Sequence, residues 1–308
     1  MPMKKNKAKR RRALDLLPLG IAFAAFFTIA VVAARVVMWD GDKHIDSARK
    51  LEQLFLDADY DLAAIRSGAK VPRLFIKSLP PDFNMIEPRA EKKRVFIKFL
   101  LPLVLLKNEE LREERERAAA AIARKNPGEA EREYLAGLHE KYKTTSAAGL
   151  LAKLDEVPVS LALAQAIEET GWGESRFLIH GNALFAEWTW SADGMIPKSR
   201  GAGKTHRVKS FPTLYDSIGS YVANLNAGAH YADFRKCRNH QRAGGKRHLA
   251  GLECAWALRR YSTKGAAYVK SLELIIRANN LHDFDAARLA DGDAKGAAGQ
   301  QYAGRRAK

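Results

Sequence analysis

Cysteine is scarce in this chain: Cys237 and Cys254 are the only two in 308 residues, too few for a disulfide framework, and no C-x-x-C pair occurs. Eight histidines are present but no H-E-x-x-H spacing, so no recognisable set of metal ligands emerges and neither metal nor cofactor is expected. In an oxidising compartment the two thiols can close one modest loop; the sequence leaves their pairing open. No segment recurs at a fixed period, which excludes a solenoid or propeller. Acidic residues are missing from the start of the chain. Lys4, Lys5, Lys7, Lys9, Arg10, Arg11 and Arg12 all precede the first acid, Asp15.

What remains is a globular composition, 47% hydrophobic and 28% charged, long enough to bury a sizeable core. The net charge of +17 falls to about +10 once the seven leading bases are set aside. A basic balance of that size suits a polyanion, and nucleic acid is the first candidate. The next segment argues against it. Residues 16–34, "LLPLGIAFAAFFTIAVVAA", carry no formal charge, and "RVVMW" places Trp39 at the far edge. The run is long enough to cross a bilayer as a helix, and the basic block before it belongs on the cytoplasmic side. The rest of the chain is then exported: in a bacterium, a single-pass protein of the inner membrane with its bulk on the periplasmic or exterior side. Ala33-Ala34 would suit signal-peptide cleavage, but the apolar stretch exceeds the usual core of such peptides, which favours an uncleaved anchor. Nucleic acid is excluded as a partner on the same ground.

Helical periodicity dominates the remainder. Leu51, Leu54, Phe55, Leu62 and Ile65 recur at helical intervals before Gly68, and "LPPDF" reads as a turn. "RVFIKFLLPLVLLK" is too short between Arg94 and Lys107, and too interrupted by Lys98 and Pro102, to span a membrane; it predicts a buried core helix. "NEELREERERAAAAIARK" continues it as a solvated helix. Residues 129–154 are again helical. A motif helix follows "DEVPVS", with Ser160 as its N-cap and Gly171 as its stop. "LFAEWTW" alternates as a short strand, "SADGMIPKSRGAGKTH" is a loop, and two helices close the chain. The expected organisation is a basic cytoplasmic segment 1–15, a membrane anchor 16–39, a helical pre-domain 40–128, a catalytic domain 129–284 and a disordered tail 285–308. The fold class is mainly α with a small β-lobe.

The chemistry concentrates in "QAIEETGWGESRF", residues 165–177. Successive helical positions lie about 100° apart, so Glu168 and Glu169 face different ways. Glu169 shares a face with Ala162, Gln165 and Ala166, small enough side chains to let a groove reach it; Glu168 lies beside Ala164 and is free to turn to solvent. At the carbonyl end of a helix, and partly buried, Glu169 should have a raised pKa and hold a proton near neutrality. That is the general acid of glycoside hydrolysis. Considered alone, a Glu in a last helical turn is more often a solvated residue.

"AQAIEETGWGESRF" followed by "GNALF" resembles the signature of bacterial peptidoglycan glucosaminidases, endo-β-N-acetylglucosaminidases. "VPVSLALAQA", "EWTW", "GKTH", "YSTKGAAYVKSLELII" and "KRVFIKFLLPLVLLKN" are similar to the Bax-like branch, over roughly residues 75–283. The resemblance implies a lysozyme-like helical domain that cleaves the β-1,4 bond after N-acetylglucosamine in glycan strands, with Glu169 as the acid. It also implies a functional tyrosine, which maps to Tyr268 in "GAAYVK", with Tyr261 as competitor. Here Lys264-Gly265 stand where the family's T-D-P-x-Y-A pattern has Asp-Pro. The second carboxylate is Glu187 or Asp193; alternation sets Glu187 opposite Trp188 and Trp190.

Trp172, Asn182, Phe185, Trp188 and Tyr261 are candidate substrate-binding residues; for Trp172, burial in the core is the commoner role of that residue type. "KCRNHQRAGGKRH", 236–248, gathers Lys236, Arg238, Arg242, Lys246 and Arg247 and is a candidate surface for stem-peptide carboxylates or anionic lipid, or a merely solvated face. Expected partners are peptidoglycan glycan strands and, through residues 16–39, the membrane. A lytic transglycosylase and a non-catalytic wall-binding scaffold are the competing functions.

Overall fold

The structure, a computed structural model, describes residues 45–291 apart from 199 and 202. The expected anchor at 16–39 with its basic flank, and the tail beyond 291, lie outside the described residues. Among the described residues no helix is long and apolar enough to cross a membrane.

Helices account for most of the fold. In order they are α1 (Ala48–Asp57), α2 (Leu62–Arg66), α3 (Arg89–Ala123), α4 (Glu129–Lys141), α5 (Ala147–Lys153), α6 (Val159–Thr170), α7 (Arg176–Gly181), α8 (Leu214–Ala227), α9 (Ala232–Ala243), α10 (Gly251–Cys254) and α11 (Ala266–Ala278), joined in places by 3-10 turns. The expected strand through "LFAEWTW" shrinks to β1 (Trp188–Thr189), which pairs antiparallel with β2 (Arg207–Val208). Ala186 explains the shortening: its φ of +49° breaks the extended run and turns Leu184 and Phe185 into the core.

The expected core helix and its charged continuation form one 35-residue helix, α3, about 52 Å long at 1.5 Å per residue. Its first half, Val95 to Leu105, is buried nearly all round, and its second half keeps only an occasional buried residue such as Ala118. Phe83, Phe96 and Phe99 pack edge to face at centroid separations of 5.0 to 6.5 Å. Each such buried ring contributes roughly 2–3 kcal/mol. Near its middle α3 grips "DEVPVS": Asn108 Nδ2 donates to the Val157 carbonyl at 2.7 Å, and Val157 N–H returns to Asn108 Oδ1 at 3.0 Å. Residues 40–128 are thus no separate pre-domain in their described part, because α3 packs directly on α6 and α8 in one compact unit.

Residues 285–291, expected to lie in a disordered tail, are ordered. Asp285 is built into the fold: one carboxylate oxygen accepts from Ser160 N–H at 2.8 Å, and the other accepts from the Ser160 hydroxyl at 2.8 Å and Gly251 N–H at 3.1 Å. Leu289 then bridges Val71, and Ala290 N–H bonds the Val71 carbonyl at 2.8 Å. The anchoring contacts are distant in the chain, so neighbouring residues carry no sign of them. Ser160 is accordingly not the N-cap of α6; Pro158 holds that place without a side-chain bond, and Asp285 reaches in to satisfy the helix start. The approach of α10 here is tight. A Cβ on Gly251 would come within 2.3 Å of Ser160 Oγ.

The basic run 236–248 is divided: Arg238 and Arg242 are built into the fold, whereas Lys236, Lys246 and Arg247 are exposed. Arg238 is fully buried, and its guanidinium donates to the carbonyls of Ala152, Lys153, Asp155 and Glu156 and to Asn226 Oδ1. Arg242 forks onto the Asp155 carboxylate and reaches Glu156; Lys236 and Lys246 pair with Asp233 and Glu253. The two cysteines pair: Cys237 on α9 is disulfide-bonded to Cys254 on α10.

Candidate active site

Glu169 sits in the last turn of α6, a helix buried along most of its length. Three consecutive positive φ values explain "GWG": Gly171 at +59°, Trp172 at +64° and Gly173 at +91°. Gly171 ends the helix in the left-handed conformation, as expected of a glycine stop. At Gly173 a Cβ would lie 2.3 Å from the Phe83 ring and 3.2 Å from the Phe96 ring of α3, so only glycine lets the turn close on these rings. The turn is pinned further by Lys92, whose buried ammonium donates to Glu174 Oε1 at 3.1 Å.

Glu169 Oε1 accepts from the Tyr268 hydroxyl at 3.0 Å. That hydroxyl in turn accepts from Gln165 Nε2 at 3.1 Å, and Gln165 Oε1 accepts from the Tyr221 hydroxyl at 2.7 Å. The polar chain runs one way, Tyr221 to Gln165 to Tyr268 to Glu169. With Gln165 Nε2 donating to the Tyr268 oxygen, the Tyr268 hydroxyl can donate to Glu169 Oε1. In that arrangement a protonated Glu169 carries its proton on Oε2. Burial pushes the Glu169 carboxyl up to about 7, against the Tyr268 hydrogen bond, with the neighbouring Glu168 charge adding to the rise and Lys264 opposing it.

Glu168 is not free in solvent, contrary to the sequence reading. Its carboxylate accepts from Lys264 Nζ at 3.0 Å and from the Ser271 hydroxyl at 2.6 Å. Burial alone would raise its pKa, but these two partners win and hold it below the usual value. Both come from α11 and the loop before it, which the helical face argument could not foresee.

Tyr268 and Tyr261 are stacked, with ring centroids 5.7 Å apart and planes 7° from parallel. Tyr261 donates to the Phe185 carbonyl at 3.0 Å, and Phe185 stacks on Tyr221 at 3.8 Å. Burial raises the Tyr261 phenol well above its ordinary value, and the charges of both Glu169 and Glu187 act on it in the same direction. Both carboxylates thus act electrostatically on one tyrosine.

Glu187 precedes β1. Its Oε2 accepts from the Ser220 hydroxyl at 2.9 Å, and Ser220 accepts from Lys209 Nζ at 2.8 Å; its Oε1 is buried without a partner among the described residues. Burial raises its pKa, opposed by Ser220 and the Lys209 charge. Asp193 lies exposed in the turn after β1, bonded only to Ser191.

The remaining candidates separate. Asn182 caps α7 in the left-handed conformation and donates to the carbonyls of Phe211 and Pro212 at 3.0 and 3.2 Å. Trp172 is buried edge to face on Phe96 under the Lys93 ammonium, on the α3 side. Trp188 is 58% exposed and stacks on His206 at 4.4 Å. Gln165, Tyr221, Ser220 and Lys209 were not singled out in the sequence as site residues. Only Gln165 carried a local signal, lying one helical turn before Glu169 on the same face. Among the described residues no cluster of His, Cys, Asp and Glu is arranged to hold a metal.

A family model described as Glucosaminidase, mannosyl-glycoprotein endo-beta-N-acetylglucosaminidase, matches residues 145–281, which include Glu169, Glu187, Tyr261 and Tyr268. The chain is 27% identical over 200 residues to the protein named "Protein bax" of Escherichia coli strain K12, covering 61% of this chain and 70% of that one. The residues around α6 are therefore similar to the glucosaminidase family, and the wider chain is similar to Protein bax.

Proposed function

We propose that this protein hydrolyses the β-1,4 bond following N-acetylglucosamine in peptidoglycan, using Glu169 as general acid on a lysozyme-like scaffold. The observation that carries the reading is the one-way hydrogen-bond chain ending on Glu169 Oε1. It leaves Oε2 to deliver the proton to the departing glycosidic oxygen, and a pKa near 7 keeps that proton available at neutral pH. Glu187 is the better second carboxylate, since it shares Tyr261 with Glu169 while Asp193 stands in an exposed turn. Its Ser220–Lys209 partners favour the ionised form that a base or an electrostatic stabiliser needs.

The burial that raises Glu187 works against that role and favours, as a second reading, a lytic transglycosylase using Glu169 alone. The disulfide supports an exported catalytic unit, and the apolar run 16–39 supports tethering of that unit to the bacterial inner membrane with peptidoglycan within reach.

The test is digestion of purified sacculi by the full chain in detergent beside its Glu169→Gln variant, with product mass spectrometry. Reducing-end N-acetylglucosamine from the parent alone is the expected result. Anhydro-muramic ends would select the second reading, and equal release by both proteins would overturn the role of Glu169.

A further inference from the structure

A cavity of about 500 Å³ is lined by His230, Trp256, Arg259, Arg260 and the first turns of α11 at Ala266 and Val269. It alternates with the catalytic residues along the chain. Tyr231, next to His230, packs on Tyr261 at 6.0 Å, and Tyr261 follows Arg260; Tyr268 precedes Val269. The chain segments that carry Tyr231, Tyr261 and Tyr268 thus also carry the cationic and aromatic groups of the cavity.

Those groups are unengaged. Trp256 is 53% exposed, an unusual state for so large an apolar ring, and it stacks on no other ring among the described residues. The side chains of Arg259 and Arg260 are exposed, and neither forms an ion pair or hydrogen bond with another described residue. The single acid at the rim, Asp233, is paired with Lys236 at 3.5 Å. The start of α11, whose N-cap Gly265 makes no side-chain bond, contributes the partial positive charge of a helix N-terminus to the same cavity. An exposed indole offers a platform for the apolar face of a sugar ring, and paired guanidinium groups match carboxylates in planar, two-pronged geometry.

We propose that this cavity is an accessory subsite that takes the acidic branches of the glycan strand, Trp256 supporting a sugar and Arg259 with Arg260 holding a carboxylate carried on it. The assignment rests on the peptidoglycan reading above and adds to it a preference for strands that bear carboxylates over neutral N-acetylglucosamine oligomers. Two carboxylates share this chemistry, those of the stem peptide and the lactyl carboxylate that an amidase leaves when it removes the peptide.

Equilibrium binding tests it independently of turnover. The full chain carrying Glu169→Gln is titrated with peptide-bearing strands, amidase-stripped strands and neutral N-acetylglucosamine hexamer, and compared with the same chain also carrying Arg259→Ala and Arg260→Ala. Loss of the two guanidinium groups should weaken binding of peptide-bearing strands by roughly tenfold or more while leaving the hexamer unchanged. A parallel loss on stripped strands locates the ligand at the lactyl group, and no loss there locates it on the stem peptide. Trp256→Ala should weaken all three ligands. Equal weakening of hexamer and acidic strands by the arginine substitutions, or no weakening at all, overturns the subsite. An unchanged melting temperature controls for folding, and an Arg259→Lys, Arg260→Lys variant should recover part of the preference. Failure of the parent chain to release any glycan would refute the proposed hydrolase yet leave these binding outcomes decisive for the cavity.

Discussion

Glu168 and Glu169 are adjacent in the chain, yet their acidities move in opposite directions: Lys264 and Ser271 outweigh burial at Glu168 and hold its carboxyl down, whereas burial dominates at Glu169 and carries it to about 7. The two charges also act on each other. An ionised Glu168 keeps its neighbour protonated, and the Lys264 ammonium works against that.

From this coupling, substitutions on either side of the ion pair should shift the pH–rate profile in opposite senses. The alkaline limb of kcat/KM should centre near pH 7 for the parent chain, where Glu169 loses its proton. Glu168→Gln removes a negative neighbour and should move that limb to lower pH, with turnover retained. Lys264→Met should move it to higher pH. Shifts in the same direction for both would show that Glu168 and Lys264 act only by holding α11 in place.

Stability should report the same group without any substrate. The folded pKa of Glu169 lies above its ordinary 4.5, so the folded state holds the extra proton between those values. Its favourable contribution is therefore complete below about pH 4.5 and is lost as pH rises through 7. Glu169→Gln should accordingly stabilise the protein at pH 8, on the order of 2 kcal/mol after allowance for partial exposure, and the gain should vanish at pH 4. Chemical denaturation of both proteins at the two pH values measures it.

Tyr268→Phe should do more than delete a ring substituent. Glu169 Oε1 loses its donor and Gln165 Nε2 its acceptor, so a loss of about 1–2 kcal/mol is expected. With that hydrogen bond gone the Glu169 pKa should rise further, and kcat should fall at every pH. A variant with parent-like kcat would remove Tyr268 from the mechanism.

Reducing the Cys237–Cys254 bridge opens a loop with a sequence separation of 17. By loop-closure entropy this should cost about 3 kcal/mol, read as a lower melting temperature with dithiothreitol. The Cys237→Ser, Cys254→Ser variant should melt at the reduced value with or without reductant.

Truncation at residue 284 addresses the end of the chain. It removes the carboxylate on which Ser160 and Gly251 converge, leaving the start of α6 and α10 with buried unpaired donors. A loss of roughly 2 kcal/mol or more is expected, whereas truncation at 291 should be near neutral.

Local pattern carried much of the fold. Helical spacing, the glycine stop at Gly171 and the apolar run inside α3 are written in neighbouring residues, and the direction of the Glu169 shift follows from its place at a buried helix end. Long-range partners were invisible. Nothing near Ser160 announces Asp285, 125 residues away, and nothing near Glu168 announces Lys264, 96 residues on. Likewise a run of five bases cannot show that Arg238 is fully buried beneath backbone carbonyls. The shortening of β1 turned on one residue, Ala186, whose left-handed conformation no propensity would favour.

The long helix α3 carries a practical consequence for anyone dissecting the molecule. Phe96 backs Trp172, Lys92 tethers Glu174 and Asn108 clips Val157, so the segment ahead of residue 145 supplies the rear support of the turn that follows Glu169 and of the approach to its helix. Excising residues 145–281 by homology boundaries would strip that buttress and expose a greasy flank. An inert fragment made that way would speak to a bad cut, not to a dead enzyme.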